Sequence, residues 1–280
     1  MRLEDESAVI REGFPAEYAD LVLVVTELGG TTVPMVLLAV LFWLSSRRRN
    51  ALVISYAVAG VCFVVVAKEL FGLPRPPTDA FLVPYDTDDL GFPSGHAFAA
   101  TIVYGGLLVA YDRVRDPGPV LAVAAVVTVV ALSRVILGVH YLSDVLAGFA
   151  LGLGFLGVMT YATRREPQRG FAIALGIAAV ALVVVGVNGY VLLGLGGSIG
   201  GLVATVANVD RPALRSRLEG GVLVVVGMAG IVAVQAATDL LTAVPILVAS
   251  YGLLFGWILL APAAVARVPL ERLASSPANA

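Results

Sequence analysis

The amino-acid sequence predicts an all-α protein, a polytopic membrane helical bundle with about nine transmembrane helices. Of its 280 residues, 59% are apolar, whereas soluble domains contain about 45–50% apolar residues. The mean hydropathy is +0.94, and the apolar residues are gathered into runs close to the ~20 residues that cross a bilayer. The net charge of −2 argues against a nucleic-acid partner, which would require a basic surface.

Nine apolar runs are long enough, or nearly long enough, to span the membrane. They are Gly30–Ser46, Ala51–Phe71, Ser94–Tyr111, Val120–Leu137, Leu142–Tyr161, Gly170–Val187, Tyr190–Val209, Gly221–Ala236 and Leu241–Ala261. Before them, Pro15–Leu28 mixes acidic residues with leucine and valine. This mixture predicts a short helix that lies in the membrane interface.

Arginine residues predict the orientation of these spans, because cytoplasmic loops are enriched in lysine and arginine. Every second connection is arginine-rich, and the residues concerned are Arg47, Arg48, Arg49, Arg113, Arg115, Arg164, Arg165, Arg169, Arg211, Arg215, Arg217, Arg267 and Arg272. We therefore expect a multi-pass protein of a prokaryotic cell membrane, with its N-terminus outside and its C-terminus in the cytoplasm. Apart from the N-terminal tail, only Lys68, Arg75 and Arg134 are basic on the outer side, and they need another explanation.

Three short polar stretches lie at the ends of spans. The first runs from Lys68 to Pro76 and reads Lys-Glu-Leu-Phe-Gly-Leu-Pro-Arg-Pro. The second is Pro-Ser-Gly-His at positions 93–96, and the third runs from Ser133 to Asp144. The number of spans between them places all three on the outer face, so we expect them to act together.

The residue types in these stretches are suited to binding phosphate. Lys68, Arg75 and Arg134 supply three cations: arginine matches phosphate oxygens bidentately, and lysine adds a point charge. The proline at the start of the second stretch favours the first turn of a helix. The backbone N–H groups of residues 94–96 would then form an anion site at a helix N-terminus, where the glycine allows close approach.

The two histidines of the chain suit phosphoryl transfer. His140 and Asp144 are four residues apart at the start of a helix and therefore share one face. A carboxylate bonded to one ring nitrogen fixes the tautomer and leaves the other nitrogen as a nucleophile. His96, on another helix, can then protonate the leaving oxygen as a general acid. The sequence thus predicts a phosphohistidine intermediate.

Together the three stretches resemble the signature of the type 2 phosphatidic acid phosphatase superfamily. The pattern is Lys-x6-Arg-Pro, then Pro-Ser-Gly-His, then Ser-Arg-x5-His-x3-Asp, and the resemblance covers about residues 15–165. It implies a nucleophile at His140, its partner at Asp144 and an acid at His96, with no metal or other cofactor. The phosphate-binding residues that it implies are Lys68, Arg75, Ser94, Gly95 and Arg134.

The resemblance implies a membrane enzyme that hydrolyses a lipid phosphate or a polyprenyl diphosphate at the extracytoplasmic face. Two alternatives remain open at this stage. A lipid phosphotransferase would use the same intermediate with an acceptor other than water. A membrane binding or transport protein would retain the site without turnover. The expected partners are the lipid substrate, membrane lipids and, as an open option, a second copy of the chain.

We expect the chain to divide by function near residue 165. Residues 1–165 are predicted to form the catalytic bundle with its interfacial helix, and residues 166–280 a four-helix transmembrane extension. Glycines recur from Gly194 to Gly201, which predicts close helix packing and a structural, dimerising or substrate-guiding role. Between the first two polar stretches, an acidic loop is predicted to be solvated surface rather than a metal site; it contains Asp79, Asp86, Asp88 and Asp89.

Overall fold

The computed structural model describes residues 3–84, 89–207, 214–238 and 240–267. Arg211, Arg272, Asp86 and Asp88 of the sequence predictions lie outside these described residues. Eleven α-helices are present in the described ranges: α1 Glu4–Glu12, α2 Ala19–Thr26, α3 Thr32–Leu44, α4 Arg47–Phe71, α5 Gly95–Ala110, α6 Pro117–Ile136, α7 Leu142–Thr163, α8 Pro167–Val184, α9 Gly189–Val206, α10 Arg217–Thr238 and α11 Val244–Val265. The predicted all-α class is confirmed.

Seven of these helices are long and apolar enough to cross a membrane, namely α4 and α6–α11. The segment Ala16–Gly29 and helix α3 pass the same test as a pair, bent by 51° at their junction, which gives up to eight spans. Helix α5 occupies the third predicted span but has only 16 residues. The prediction of nine spans therefore matches the positions of the helices, whereas by length and composition seven or eight of them qualify.

Helix α4 lies at the centre of the bundle and is buried along most of its length. Helices α5, α8 and α9 all pack against it. The main hydrophobic core contains residues from both halves of the chain, including Trp43, Tyr56, Phe98, Phe171 and Phe255. The Trp43 indole N–H also donates to the backbone carbonyl of Ile258 at 2.8 Å. The first and last parts of the chain are thus joined through one core.

The described residues between α4 and α5, 72–84 and 89–94, fold back over one end of the bundle. Pro74 and Leu90 pair as an antiparallel bridge, and the Leu82 N–H donates to the Leu137 carbonyl at 3.1 Å. Gly138 has a φ of +76°, and a Cβ atom on it would collide with the backbone of Ala80. Only glycine allows this close contact, which holds the segment against the end of α6.

The glycines of α9 form a closely packed surface, as the sequence predicted. A Cβ atom on Gly196 or Gly200 would collide with the backbone of α11 around Gly252. On the neighbouring faces, Gly197 touches Phe255 and Gly201 touches Phe171. These glycines let α9 approach the backbone of α11 and make room for the Phe171 ring of α8, which is the packing that small residues give in membranes.

The α9–α11 contact gives a stability prediction. Gly200→Ala should lower the thermal unfolding midpoint in detergent, because overpacking a close contact typically costs about 1–3 kcal/mol. Gly176→Ala on α8 is the matched control, since a Cβ there meets nothing within 4 Å. Its gain in helix propensity, about 0.5–1 kcal/mol, should leave the midpoint equal or higher. Equal midpoints for both variants would contradict the close packing.

Candidate active site

The fold brings the three polar stretches together at one end of the bundle. Six of the eight predicted site residues line one cavity of about 270 Å³, which we call the histidine cavity. They are Lys68, Arg75, Gly95, His96, Arg134 and His140. The other two, Ser94 and Asp144, are fully buried next to it. The predicted juxtaposition is therefore observed, whereas the role of each residue remains a proposal.

His140 is held between a guanidinium and a carboxylate. Its Nε2 lies 2.9 Å from Arg75 Nη1, and its Nδ1 lies 3.5 Å from Asp144 Oδ2. A guanidinium can only donate, so Nε2 accepts and the ring proton belongs on Nδ1, facing the carboxylate. The Nδ1–Oδ2 distance is longer than a regular hydrogen bond, but catalytic contacts are often long before substrate binds.

Asp144 is oriented by its own helix start. Its Oδ2 accepts from the Tyr141 N–H at 2.9 Å, and its Oδ1 accepts from the Ser143 hydroxyl at 3.2 Å. The Ser7 hydroxyl of α1 accepts the next N–H, that of Leu142, at 2.8 Å. Ser7 is buried, and sequence reasoning missed it because a lone serine in a polar terminal segment carries no motif.

Ser94 joins the N-terminus of α5 to that of α7. Its N–H donates to the Asp144 carbonyl at 2.9 Å, and its hydroxyl sits at the N-cap, 3.5 Å from the Ala97 N–H. The adjacent Gly95 faces open space, since a Cβ on it would meet no atom within 4 Å. The start of α5 therefore presents accessible backbone to the cavity, as an anion site at a helix N-terminus requires.

The cations are oriented by oxygen atoms from distant elements. Arg134 is fully buried, and its Nη1 donates to the Thr26 hydroxyl of α2 at 2.9 Å. Lys68 Nζ donates to the Leu90 carbonyl at 3.0 Å, and Arg75 Nη1 to the Val139 carbonyl at 3.0 Å. Sequence reasoning missed Thr26, because a threonine within an apolar run has no distinguishing signal.

The segment that contains the predicted interfacial helix, Pro15–Leu28, continues into the cavity wall. After Thr26 it makes a short 3₁₀ turn, Glu27–Gly29, and Gly29 lies against the backbone of His96. The histidine cavity is lined here by Gly29, Gly30 and Thr31. The bend between this segment and α3 therefore places backbone beside a predicted catalytic residue.

The electrostatics of the cavity favour an anion. Its described lining includes three basic residues and no acidic one. Burial lowers the pKa of His140 well below its usual value, and the charges of Arg75, Arg134 and Lys68 lower it further. His140 is therefore neutral at neutral pH and keeps a lone pair on Nε2. Within the described residues, no group of three or more histidine, cysteine or acidic side chains could hold a metal ion.

The opposite end of the same cavity is apolar. It extends between α3, α4 and α5, where Met35, Val61, Val64, Phe98 and Ile102 line it. A ligand that fills the whole cavity must carry negative charge at one end and hydrocarbon at the other. The cavity is thus shaped for an amphiphilic anion.

Comparison with known proteins agrees with this geometry. Residues 48–168 match the PAP2 superfamily, and all eight predicted site residues fall within this segment. A decaprenylphosphoryl-5-phosphoribose phosphatase of Mycobacterium tuberculosis is 39% identical over 109 residues, which are 38% of this chain and 58% of that protein. No solved structure matches the chain significantly.

Two further relatives match shorter shares of their length. Phosphatidylglycerophosphatase B of Bacillus subtilis is 44% identical over 70 residues, covering 22% of this chain and 34% of the relative. Human sphingosine-1-phosphate phosphatase 2 is 40% identical over 101 residues, covering 34% and 25%. The matches therefore span 58% of the first relative and no more than 34% of the other two, and all three carry the name of a phosphatase.

The electrostatic setting of His140 can be tested by NMR, because the chain has only two histidines. In a His96→Gln protein, His140 should titrate well below the ordinary histidine range. Adding Arg75→Gln should raise the pKa of His140, since it removes a positive charge that disfavours the imidazolium. Arg113→Gln, which removes an exposed arginine paired with Asp116, should leave the His140 titration in place. An unchanged or lower pKa in the Arg75 variant would contradict this electrostatic assignment.

Proposed function

We propose that the protein is an integral-membrane lipid phosphatase. The proposal proceeds from the match of residues 48–168 to the PAP2 superfamily. The protein removes phosphate from a lipid phosphate or polyprenyl diphosphate through a phosphohistidine intermediate. The observation that carries this proposal is the histidine cavity, where three cations and an oriented imidazole lie at one end of an apolar slot. The names of the relatives support a phosphorylated lipid as the substrate class.

Substrate binding begins with the guanidinium of Arg75. In the structure this group covers the Nε2 atom of His140 at 2.9 Å. A phosphate dianion accepts two N–H bonds from a guanidinium in parallel, so it draws Arg75 away from the ring. The Nε2 lone pair is then exposed to phosphorus, and attack follows only when the anion is present.

Phosphoryl transfer then depends on a proton on His96 and a proton on Nδ1 of His140. Nε2 of His140 attacks phosphorus, so that an N–P bond forms while the bond from phosphorus to the leaving oxygen breaks. The negative charge of the bound phosphate favours the protonated form of His96. Protonated His96 gives its proton to that oxygen, which leaves as the lipid alcohol or the polyprenyl monophosphate. The Nδ1 proton stays directed at Asp144, whose charge stabilises the imidazole as it becomes cationic.

Water completes the cycle by the reverse arrangement. It attacks phosphorus, His96 takes its proton, and the N–P bond breaks so that the lone pair returns to Nε2. Lys68, Arg75, Arg134 and the N–H groups at the start of α5 stabilise the charge on the equatorial oxygens in both steps. No step requires a metal ion.

The division of the chain near residue 165 is part of this proposal. Every residue to which we give a chemical role lies in residues 1–165. The C-terminal extension, residues 166–280, has no histidine or lysine and supplies neither nucleophile nor acid.

The roles of the two histidines can be separated with two substrates. Purified protein should release phosphate from phosphatidate and from p-nitrophenyl phosphate. His140→Ala should reduce both rates by roughly 10³-fold or more, because it removes the nucleophile. His96→Gln should reduce phosphatidate hydrolysis by about 10²–10⁴-fold but aryl phosphate hydrolysis much less, because nitrophenolate leaves without a proton.

The controls for this experiment are folding and product identity. Each variant should elute as the wild type does from a sizing column and unfold at a similar temperature. The phosphorus should appear as inorganic phosphate; its appearance on a second lipid would establish the phosphotransferase instead. Well-folded His140→Ala protein with full activity would refute the mechanism.

The arginine distribution supports an extracytoplasmic site, and cysteine labelling tests it. Asp79, in the exposed segment above the site, and Gly118, at the start of α6, lie at opposite ends of the bundle by the connectivity of the helices. In intact cells a membrane-impermeant maleimide should label Asp79→Cys and spare Gly118→Cys. The native Cys62 is buried and gives a low background. The reverse labelling would invert the orientation.

A further inference from the structure

A second cavity of about 500 Å³, which we call the vestibule, lies beside the histidine cavity. The two cavities share four lining residues: Thr31, Val65, Lys68 and Tyr190. Lys68 therefore faces both spaces, and a ligand in the vestibule is already in contact with the first cation of the proposed catalytic site.

The vestibule is built largely by the C-terminal extension. Its walls include Val185, Asn188, Gly189, Leu193 and Tyr251, from the end of α8, the start of α9, and α11. All of these residues lie outside the segment 48–168 that matches the superfamily. The extension thus forms a wall of a space that opens onto the histidines, although it supplies none of the chemistry.

The lining of the vestibule suits the boundary between a lipid headgroup and its tails. Val65, Val185 and Leu193 are apolar, whereas Asn188 and Tyr251 carry polar groups. Tyrosine is favoured at this depth, because its ring is apolar and its hydroxyl is polar. A mixed surface of this kind fits the phosphorylated end of an amphiphile better than it fits a bare ion or a bare hydrocarbon chain.

The charges of the two cavities form a gradient. The vestibule lining contains Lys68 and, next to it, the carboxylate of Glu69, so its basic and acidic residues balance. The histidine cavity contains Lys68 together with Arg75 and Arg134. A phosphate group in the vestibule is therefore attracted onward, since the charge that it meets becomes more positive toward His140.

We propose that the vestibule binds the phosphorylated end of a membrane lipid and passes it at Lys68 and Tyr190 into the histidine cavity. The C-terminal extension is then part of the substrate site rather than a separate anchor. This inference rests on the proposed lipid phosphatase function, and it assigns the entry step of that function to residues of the extension.

Filling the vestibule tests the proposal. Gly189 lines the vestibule, and a Cβ on it would meet no atom within 4 Å, so Gly189→Trp adds an indole at the vestibule wall without a backbone clash. The ratio of kcat/KM for phosphatidate to kcat/KM for p-nitrophenyl phosphate should fall by roughly tenfold. The lipid needs the vestibule, whereas the small aryl ester does not carry tails that must pass through it.

The matched control is Gly176→Trp on α8, where a Cβ also meets nothing within 4 Å and the residue is exposed. This variant should keep the wild-type ratio. An unchanged ratio in Gly189→Trp would overturn the proposal, and so would an equal loss with both substrates, since that result would indicate damage to the histidine cavity.

A binding measurement without turnover keeps the inference separate from the proposed function. In a His140→Ala, Cys62→Ala background, Tyr251→Cys should react with a maleimide in proteoliposomes. Phosphatidate should slow this reaction, and diacylglycerol at the same concentration should not. Lys68→Met should abolish the protection, because Lys68 is the cation that the vestibule shares with the histidine cavity.

The two experiments together distinguish the failures. One outcome is that phosphatidate protects Tyr251→Cys from the maleimide although the wild-type protein hydrolyses no lipid phosphate. That result would support the vestibule proposal and refute the proposed phosphatase function. Another outcome is that the wild-type protein hydrolyses lipid phosphate while Tyr251→Cys shows no protection and Gly189→Trp keeps the wild-type substrate ratio. That result would support the phosphatase function and refute the vestibule proposal. Equal protection by diacylglycerol would also refute it, since the site would then recognise hydrocarbon alone.

Discussion

The structure depends on holding three cationic side chains around a neutral imidazole inside a helical bundle. Charges brought together in this way repel one another, and each loses hydration on burial. An oxygen acceptor for each cation offsets the loss of hydration. The acceptors are the Thr26 hydroxyl for Arg134, the Leu90 carbonyl for Lys68 and the Val139 carbonyl for Arg75. Because these three acceptors carry no net charge, they orient the cations without cancelling their field, which remains to bind an anion.

This requirement explains why the site draws on so much of the chain. The acceptors come from α2, from the segment before α5 and from the turn before α7. Two of them are backbone carbonyls, so the path of the main chain must be fixed as firmly as any side chain. Gly138, at positive φ, and the Pro74–Leu90 bridge fix it. Burial, together with the same field, lowers the pKa of His140 and keeps it neutral, so one electrostatic arrangement both favours an anion and prepares the proposed nucleophile.

The sequence predicted which side chains line this site, but it did not predict the contacts that hold them in place. Lys68, Arg75, His96, Arg134 and His140 were predictable, because polar residues at the ends of apolar spans are few and their spacing forms a signature. Thr26 and Ser7 were not predictable, since each is defined by a contact more than 100 residues away along the chain. The position of the bend at 29–32 in the cavity wall was not predictable for a similar reason. Composition indicates that a segment is amphipathic but does not indicate which surface it covers.

Helix α4 links the two halves of the molecule, and its geometry explains how an extension without catalytic side chains can still matter to function. Near its end, Val65 and Lys68 face both cavities, while α8 and α9 pack along the same helix. The glycines of α9 bring its backbone against α11, which sets where Tyr190 and Tyr251 stand. The residues to which we assign chemistry all lie within residues 48–168, the segment that matches the PAP2 superfamily, whereas the shape of the approach to Lys68 depends on helices beyond it. If the proposed function holds, substitutions in the extension can change which lipid reaches the histidines without altering the proposed phosphoryl transfer.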